Sequence, residues 1–395
     1  EGKRQLVRID ADALQDSPVP PWSVATTPRP LAHRSLAGAE RYDALALNNW
    51  ELGTLFGFFG ASSSGIFGQL LASAHDRLSD HGVIANIAAY GATELVDGYL
   101  LYVNQAGRTT WATGPFQSLQ YRIDTHEPDV EGGILSVERF YGGMVTWRYP
   151  FDRFIYAELS GGLGAVSDYL SDSSRSYLAD PAANEAGRDL LTPWRARHHG
   201  TRMRGESTLR FGYDTIRYNW ATGPVAGRSL LLELQGGAEP KNGQTYSSAR
   251  LDAEHYLHLT GSANLFVRLG TGVSAGGRLR PTFYLSSFDT LRGVPFGDST
   301  LLLGTHFFYS TAEMQFPLNA VIRLFIFSDL EGIVGMDFGG VGDGPNRAWR
   351  HRVLDYALGI NLGFGPLVFR IHFAKPIPLV AGSVRKAWLP NLSLT

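Results

Sequence analysis

From Trp50 to the C-terminus the sequence is a succession of segments of about 9 to 18 residues in which apolar side chains alternate with polar or small ones. Period two is the pattern of strands with one greasy and one wet face. In 321–338, Ile322, Leu324, Ile326, Leu330, Val334, Met336 and Phe338 share one face, and Asp329, Glu331, Gly335 and Asp337 the other. Leu367, Phe369, Ile371 and Phe373 alternate with Val368, Arg370, His372 and Ala374, and Leu209, Phe211 and Tyr213 alternate with Arg210, Gly212 and Asp214. Leu251, Ala253, Leu257 and Leu259 likewise stand against Asp252, Glu254, Tyr256 and His258.

A soluble sandwich also alternates, so the connections have to decide. Short turns at 79–82, 104–108, 150–153, 261–264, 317–320 and 363–366 take every second place, and mostly longer connections lie between them, the longest near 170–200, 275–299, 339–352 and 375–387. Short periplasmic turns alternating with long external loops are the product of a membrane barrel. Strand starts near Trp50, Ser64, Gly82, Val96, Thr109, Gly133, Phe154, Arg202, Arg228, Ser247, Asn264, Thr300, Val321, Leu354, Pro366 and Lys386 predict an all-β fold. The expectation is a closed antiparallel transmembrane β-barrel of about 16 strands, because closure satisfies every backbone N–H and C=O in hydrocarbon.

Composition agrees. The chain has 46 Gly, 22 Phe, 17 Tyr, 8 Trp and only 18% charged residues, which suits a surface that faces lipid. It has no Cys, which excludes thiol nucleophiles, thiolate metal sites and disulfides. A net charge of −2 without a Lys/Arg run gives no electrostatic footprint for nucleic acid. No stretch has the apolar length of a spanning helix, and the N-terminus has no signal-peptide core, so the sequence is read as starting after a cleavage or trimming site. Residues 1–46, with Pro18, Pro20, Pro21, Pro28 and Pro30, read as an extended periplasmic strap or linker, and 47–395 as the barrel.

Four segments in order resemble the BamA/TamA family of outer-membrane assembly factors over about residues 265–395. Asp289-Thr290-Leu291-Arg292-Gly293-Val294-Pro295-Phe296 is similar to the family's Arg-Gly-Phe/Tyr loop, and Ala312-Glu313-Met314-Gln315-Phe316-Pro317-Leu318 to its Ala-Glu-Tyr-Arg-Phe-Pro-Leu strand end. Met336-Asp337-Phe338-Gly339 resembles its Val-Asp-Ala-Gly strand, and Gly363-Phe364-Gly365-Pro366-Leu367 its Phe-Gly-Pro-Leu segment. The resemblance implies an external loop folded into the barrel, with Arg292 between Glu313 and Asp337 and with Gly293 and Phe296 in the same motif. That constellation would be a structural lock, without catalysis. It also implies a lateral seam between the first and last strands, here Trp50, Gly53, Leu392 and Leu394, at which proteins are inserted or translocated.

Departures accompany the likeness. Val294-Pro295 separates Gly293 from Phe296, the chain ends Leu392-Ser393-Leu394-Thr395 without a terminal aromatic, and Pro390 removes a ladder donor from the last strand. Residues 1–49 are too short for one periplasmic repeat of the assembly factors. Two other readings therefore stay open: an anchor that docks a periplasmic or surface partner, or a missing N-terminal domain, and a diffusion porin. The expected partners are outer-membrane lipid and lipopolysaccharide, together with other protein subunits or client proteins through residues 1–46 and the seam.

No cofactor or metal is expected. Gly60–Gly65 lacks the spacing of a nucleophile elbow, and His198-His199 reads as a solvated loop tip beside Arg195, Arg197 and Arg202. Asp124, His126, Glu127, Asp129 and Glu131 read as a soluble acidic loop, and Gly270, Gly272, Gly276 and Gly277 precede no helix. The lumen candidates Glu158, Arg210, Glu254, Arg268 and Arg370 mix both signs, which fits a plugged lumen better than a selective pore.

Overall fold

The computed structural model describes residues 42–394 except 45, 63–64, 125–133, 171, 185–186, 199, 220–222, 260–262, 278–279, 286–289, 295–302, 319–328, 365–366 and 379–388. Residues Ala44–Thr395 form one compact unit. Its first half contains β1 (Trp50–Ser62), β2 (Gly65–Asp76), β3 (His81–Asn104), β4 (Thr110–Asp124), β5 (Ile134–Pro150) and β6 (Ile155–Leu170). Two helices, α1 (Asp172–Ala179) and α2 (Leu191–His198), precede β7 (Arg202–Asp214), β8 (Arg217–Asn219), β9 (Gly223–Glu239), β10 (Gln244–His258) and β11 (Asn264–Gly276). The last third contains β12 (Phe283–Tyr284), β13 (Leu303–Gly304), β14 (His306–Pro317), β15 (Asp329–Gly342), α3 (Pro345–Arg350), β16 (Val353–Phe364), β17 (Leu367–Pro378) and β18 (Leu389–Leu394).

The strands form one antiparallel meander in the order β1-β2-β3-β4-β5-β6-β7-β9-β10-β11-β14-β15-β16-β17-β18, with β8 on β9 and a separate β12–β13 pair. The 24 residues of β3 would span roughly 80 Å if straight. Instead the run doubles back: Gln105 N donates to Asp80 O at 2.7 Å, and His81 Nδ1 lies 2.5 Å from Tyr102 Oη. Its first half pairs with β2 and its second with β4. Fifteen elements on the path, one of them counted twice, make sixteen crossings. Among the described residues no ladder joins β1 to β18, so the expected closure is not part of the pairing.

Faces follow the alternation. Val334 and Met336 are about half exposed while Glu331 and Asp337 are buried; Phe373 is exposed while His372 is buried; Leu251 and Leu257 are exposed while Asp252 is buried. The exposed set is large and apolar on strand after strand, including Val145, Trp147, Leu159, Leu163, Phe211, Leu230 and Leu269. A sheet whose outer face is greasy and whose inner face holds Glu, Asp and Arg inverts the arrangement of a soluble domain. The long connections β4–β5, β6–β7, β11–β14, β15–β16 and β17–β18 all leave the same end of the sheet.

Short helices are where period two fails as a guide. In the β6–β7 connection, α1 and α2 close on a small core of Leu170, Leu178, Leu190 and Trp194. His198 is consequently not a solvated tip: its ring stacks on Trp194 at 4.4 Å, and Nδ1 lies 2.8 Å from Asp168 Oδ2. His199 lies outside the described residues. In the β15–β16 connection, α3 lies against the outer face of β15, where Gly340 and Gly342 leave no room for a Cβ beside its backbone. Trp349 reaches Phe308 and Phe338, with centroids 5.6 and 6.1 Å away.

Candidate functional site: a loop held on the inner face by Arg292

The β11–β14 connection begins and ends on the β12–β13 pair. Ser274 anchors its base, with Oγ donating to Pro281 O at 2.5 Å and N donating to Thr305 O at 2.8 Å. The tip is a tight turn, in which Val294 N donates to Leu291 O at 3.1 Å. Leu291 and Val294 flank Arg292-Gly293, and both are fully buried with Leu285 against Phe307, Tyr309, Val341 and Val353 of β14, β15 and β16. Since Val334, Met336 and Met314 mark the outer face, this cluster lies on the inner face.

The buried apolar pair sets the turn, and the turn aims the guanidinium. Arg292 Nε donates to Asp337 Oδ2 at 2.7 Å and Nη2 to Asp337 Oδ1 at 2.9 Å, a bidentate fork. Nη1 donates to Glu313 Oε2, and Gln315 Nε2 donates to the other Glu313 oxygen at 2.9 Å. Next to it, Gly293 N donates to Asp355 Oδ2 at 2.8 Å. Burial opposes the Arg292 charge, but the hydrogen bonds and charge of Asp337, with Glu313, outweigh it and hold the guanidinium above its ordinary range.

Asp337 and Asp355 are direct cross-strand partners on β15 and β16, and both are fully buried. Two adjacent buried carboxylates are tenable because one loop brings a cation to the first and a backbone N–H to the second. The ladder also supplies room. Gly335 stands opposite Glu313, and a Cβ there would lie 2.5 Å from Arg292 Nη2. At Gly293 a Cβ would lie 2.8 Å from Asp355 Cβ and 3.0 Å from Pro376 N. Gly335→Val should therefore expel the guanidinium and lower the thermal unfolding transition, read by heat-modifiable gel mobility, about as far as loss of Arg292 itself.

Of the residues singled out in the sequence, Arg292, Gly293, Glu313 and Asp337 come together, while Phe296 lies outside the described residues. Asp355 was missed, and Gln315 and Gly335, though named in the sequence, were given no part in the site. Asp355 had one available signal, its place two residues inward of Val353 on an alternating strand. On the proposed seam, Trp50 Nε1 donates to Ala44 O at 2.9 Å. Gly53 sits in a β-bulge between Leu52 and Thr54. Leu392 and Leu394 pair through their backbones with Ile371 and Phe369.

Arg210 and Arg268 on the inner face are also paired, whereas Arg370 Nε is buried without a hydrogen-bond partner among the described residues. Arg210 bonds Glu233 at 2.6 Å and Glu158 at 3.0 Å. Arg268 bonds Asp252 at 2.7 Å and approaches Glu254 at 3.3 Å. A third network, absent from the sequence reading, centres on Arg204, which is almost fully buried. Its Nη2 donates to Glu138 Oε2 and to Glu239 Oε1, both at 2.6 Å. Among the described residues no group of acidic and His side chains forms a metal site.

No protein-family model and no curated protein sequence matches the chain. Solved structures do. BamA from Haemophilus ducreyi lacking POTRA domains 1-3 superposes with a TM-score of 0.59 at 12% identity, covering 88% of this chain and 70% of that one. CdiB from Acinetobacter baumannii superposes with a TM-score of 0.51 at 12% identity, covering 88% of this chain. The match spans 59% of the CdiB chain. The fold of the present chain is that of the BamA-type barrels.

Proposed function

We propose that this chain is an outer-membrane barrel that passes other proteins into or across the membrane at the seam between β1 and β18. Its N-terminus and short turns would face the periplasm. The observation that carries this reading is the edge strand β1. It is 13 residues long and without a β18 ladder among the described residues, and Leu52, Leu55, Phe56 and Phe58 are each more than half exposed. Leu55 and Phe56 are adjacent and point to opposite faces, so the strand is uncovered on both sides. An edge of this kind is a template for adding a strand from another chain.

Closure of the sheet through β1 and β18 would be labile by design. β18 has six residues, and Pro390 within it lacks a ladder donor. The Arg292 turn would act as a lock that holds the long external loop inside the lumen, with Glu313, Asp337 and Asp355 as its receptors. Residues 1–46 would be the strap that docks a partner subunit. The role proposed for this site is positional.

The pairing of Arg204, Arg210 and Arg268 on the inner face and the apolar packing of the inward loop favour a plugged lumen over a diffusion pore. Single-channel recording of the intact chain in planar bilayers should give low, flickering conductance. A large steady conductance would sink this reading in favour of a porin.

A further inference from the structure

At the end of the sheet from which the long loops leave, a cavity of about 450 Å³ opens where β5 and β6 meet α2. Arg139 and Tyr141 of β5 and Ser167 and Tyr169 of β6 line it. These side chains continue the face that displays Val145, Trp147, Leu159 and Leu163, and Asp168 and Leu170 of the opposite face also line the cavity, so it sits at the rim of the sheet, just beyond the apolar belt, and reaches the outward side. Trp194 and Arg195 of α2 form its other wall.

Arg139 and Ser167 are direct cross-strand partners. Arg139 Nε and Ser167 Oγ are both buried and have no hydrogen-bond partner among the described residues. Two neighbouring donors left unmade in one cavity are costly unless an acceptor enters. The guanidinium is already oriented for one: its Cζ lies 4.9 Å from the Tyr169 ring centroid and 5.4 Å from that of Tyr141. Aromatic contacts cover its faces and leave the N–H edge to bond in plane. The nearby carboxylate does not compete, because Asp168 Oδ2 is engaged by His198 at 2.8 Å and Arg202 at 2.9 Å.

We propose that this cavity binds a phosphate group of a phosphorylated glycolipid in the outer leaflet, with Arg139 and Ser167 as the donors and Arg195 as a flanking charge. The volume suits a phosphosugar head group, and the aromatic walls suit the level where head groups meet acyl chains. The proposal rests on the outer-membrane reading above.

The test is native mass spectrometry of the full chain in detergent, titrated with bisphosphorylated lipid A and with the same lipid after enzymatic dephosphorylation. Wild type should retain the phosphorylated lipid selectively. Arg139→Gln should weaken retention by about tenfold or more, and Ser167→Ala by less. Arg139→Lys should restore part of it, and Arg217→Gln, at the opposite end of the sheet, should leave it unchanged. Equal binding by wild type and Arg139→Gln, or equal binding of the dephosphorylated lipid, would overturn the site. Fractionation of the expressed chain separates the two failures. A chain that does not reach the outer membrane overturns the membrane reading and the site with it, whereas an embedded chain with unaltered lipid binding in Arg139→Gln overturns the site alone.

Discussion

Arg292→Ala is expected to destabilise the folded chain by about 3–5 kcal/mol, the cost of leaving buried carboxylates without their cation, and to raise its single-channel conductance. Three buried acids converge on this turn: Glu313, Asp337 and Asp355. Arg292 serves the first two, and its neighbour Gly293 serves the third through its N–H. Truncation therefore strands a pair directly and loosens the turn that serves the other. Arg292→Lys should recover little, because an ammonium cannot reproduce the two-pronged bond to Asp337. Arg292→Ala combined with Asp337→Asn should be less destabilised than Arg292→Ala alone, since the second change removes a stranded charge. Thermal unfolding by gel mobility reads the stability, and bilayer recording reads the release of the loop.

Arg204→Ala should cost a similar amount, about 3–5 kcal/mol by the same reasoning, but with a different consequence for conductance. Arg204 joins Glu138 of β5 to Glu239 of β9 across the inner face, and all three are almost fully buried. Arg202 still reaches Glu239 at 3.1 Å, whereas Glu138 loses the two-pronged bond it accepts from Arg204. No residue of the inward turn takes part. The Arg204 variant should unfold earlier yet conduct as the wild type does, while Arg292→Ala should change both. Equal conductance changes in the two variants would mean that the turn does not control the lumen.

How much of this was legible in the sequence depends on the range of the signal. Strands were legible because alternation is local: Gly82 and Val96 mark separate starts inside the run that later proves to fold back on itself. The turn at Arg292 was legible through the resemblance of four ordered motifs to a known family, which implied its pairing with Glu313 and Asp337, and alternation agreed by turning Asp337 inward. Asp355 was not, because its importance arises from register, which sets it directly beside Asp337. The Arg204 network was not legible either. Its partners lie 66 and 35 residues away, and nothing local distinguishes Glu138 or Glu239 from any inward acid. Helices α1 and α2 escaped notice because eight residues carry too little helical periodicity, and their stability comes from packing Leu178 and Leu190 on Trp194.

The seam carries the functional claim, and the absence of cysteine from the chain makes it testable without background. Cysteine pairs joining the start of β1 to the end of β18, Gly53→Cys with Leu392→Cys or with Leu394→Cys, would lock the edges covalently under oxidation. The direct measurement is the rate at which an unfolded outer-membrane barrel client inserts into liposomes containing the full chain, before and after oxidation. The account predicts acceleration by the reduced protein, lost on cross-linking and regained on reduction. Undiminished client insertion by a fully cross-linked seam would contradict it.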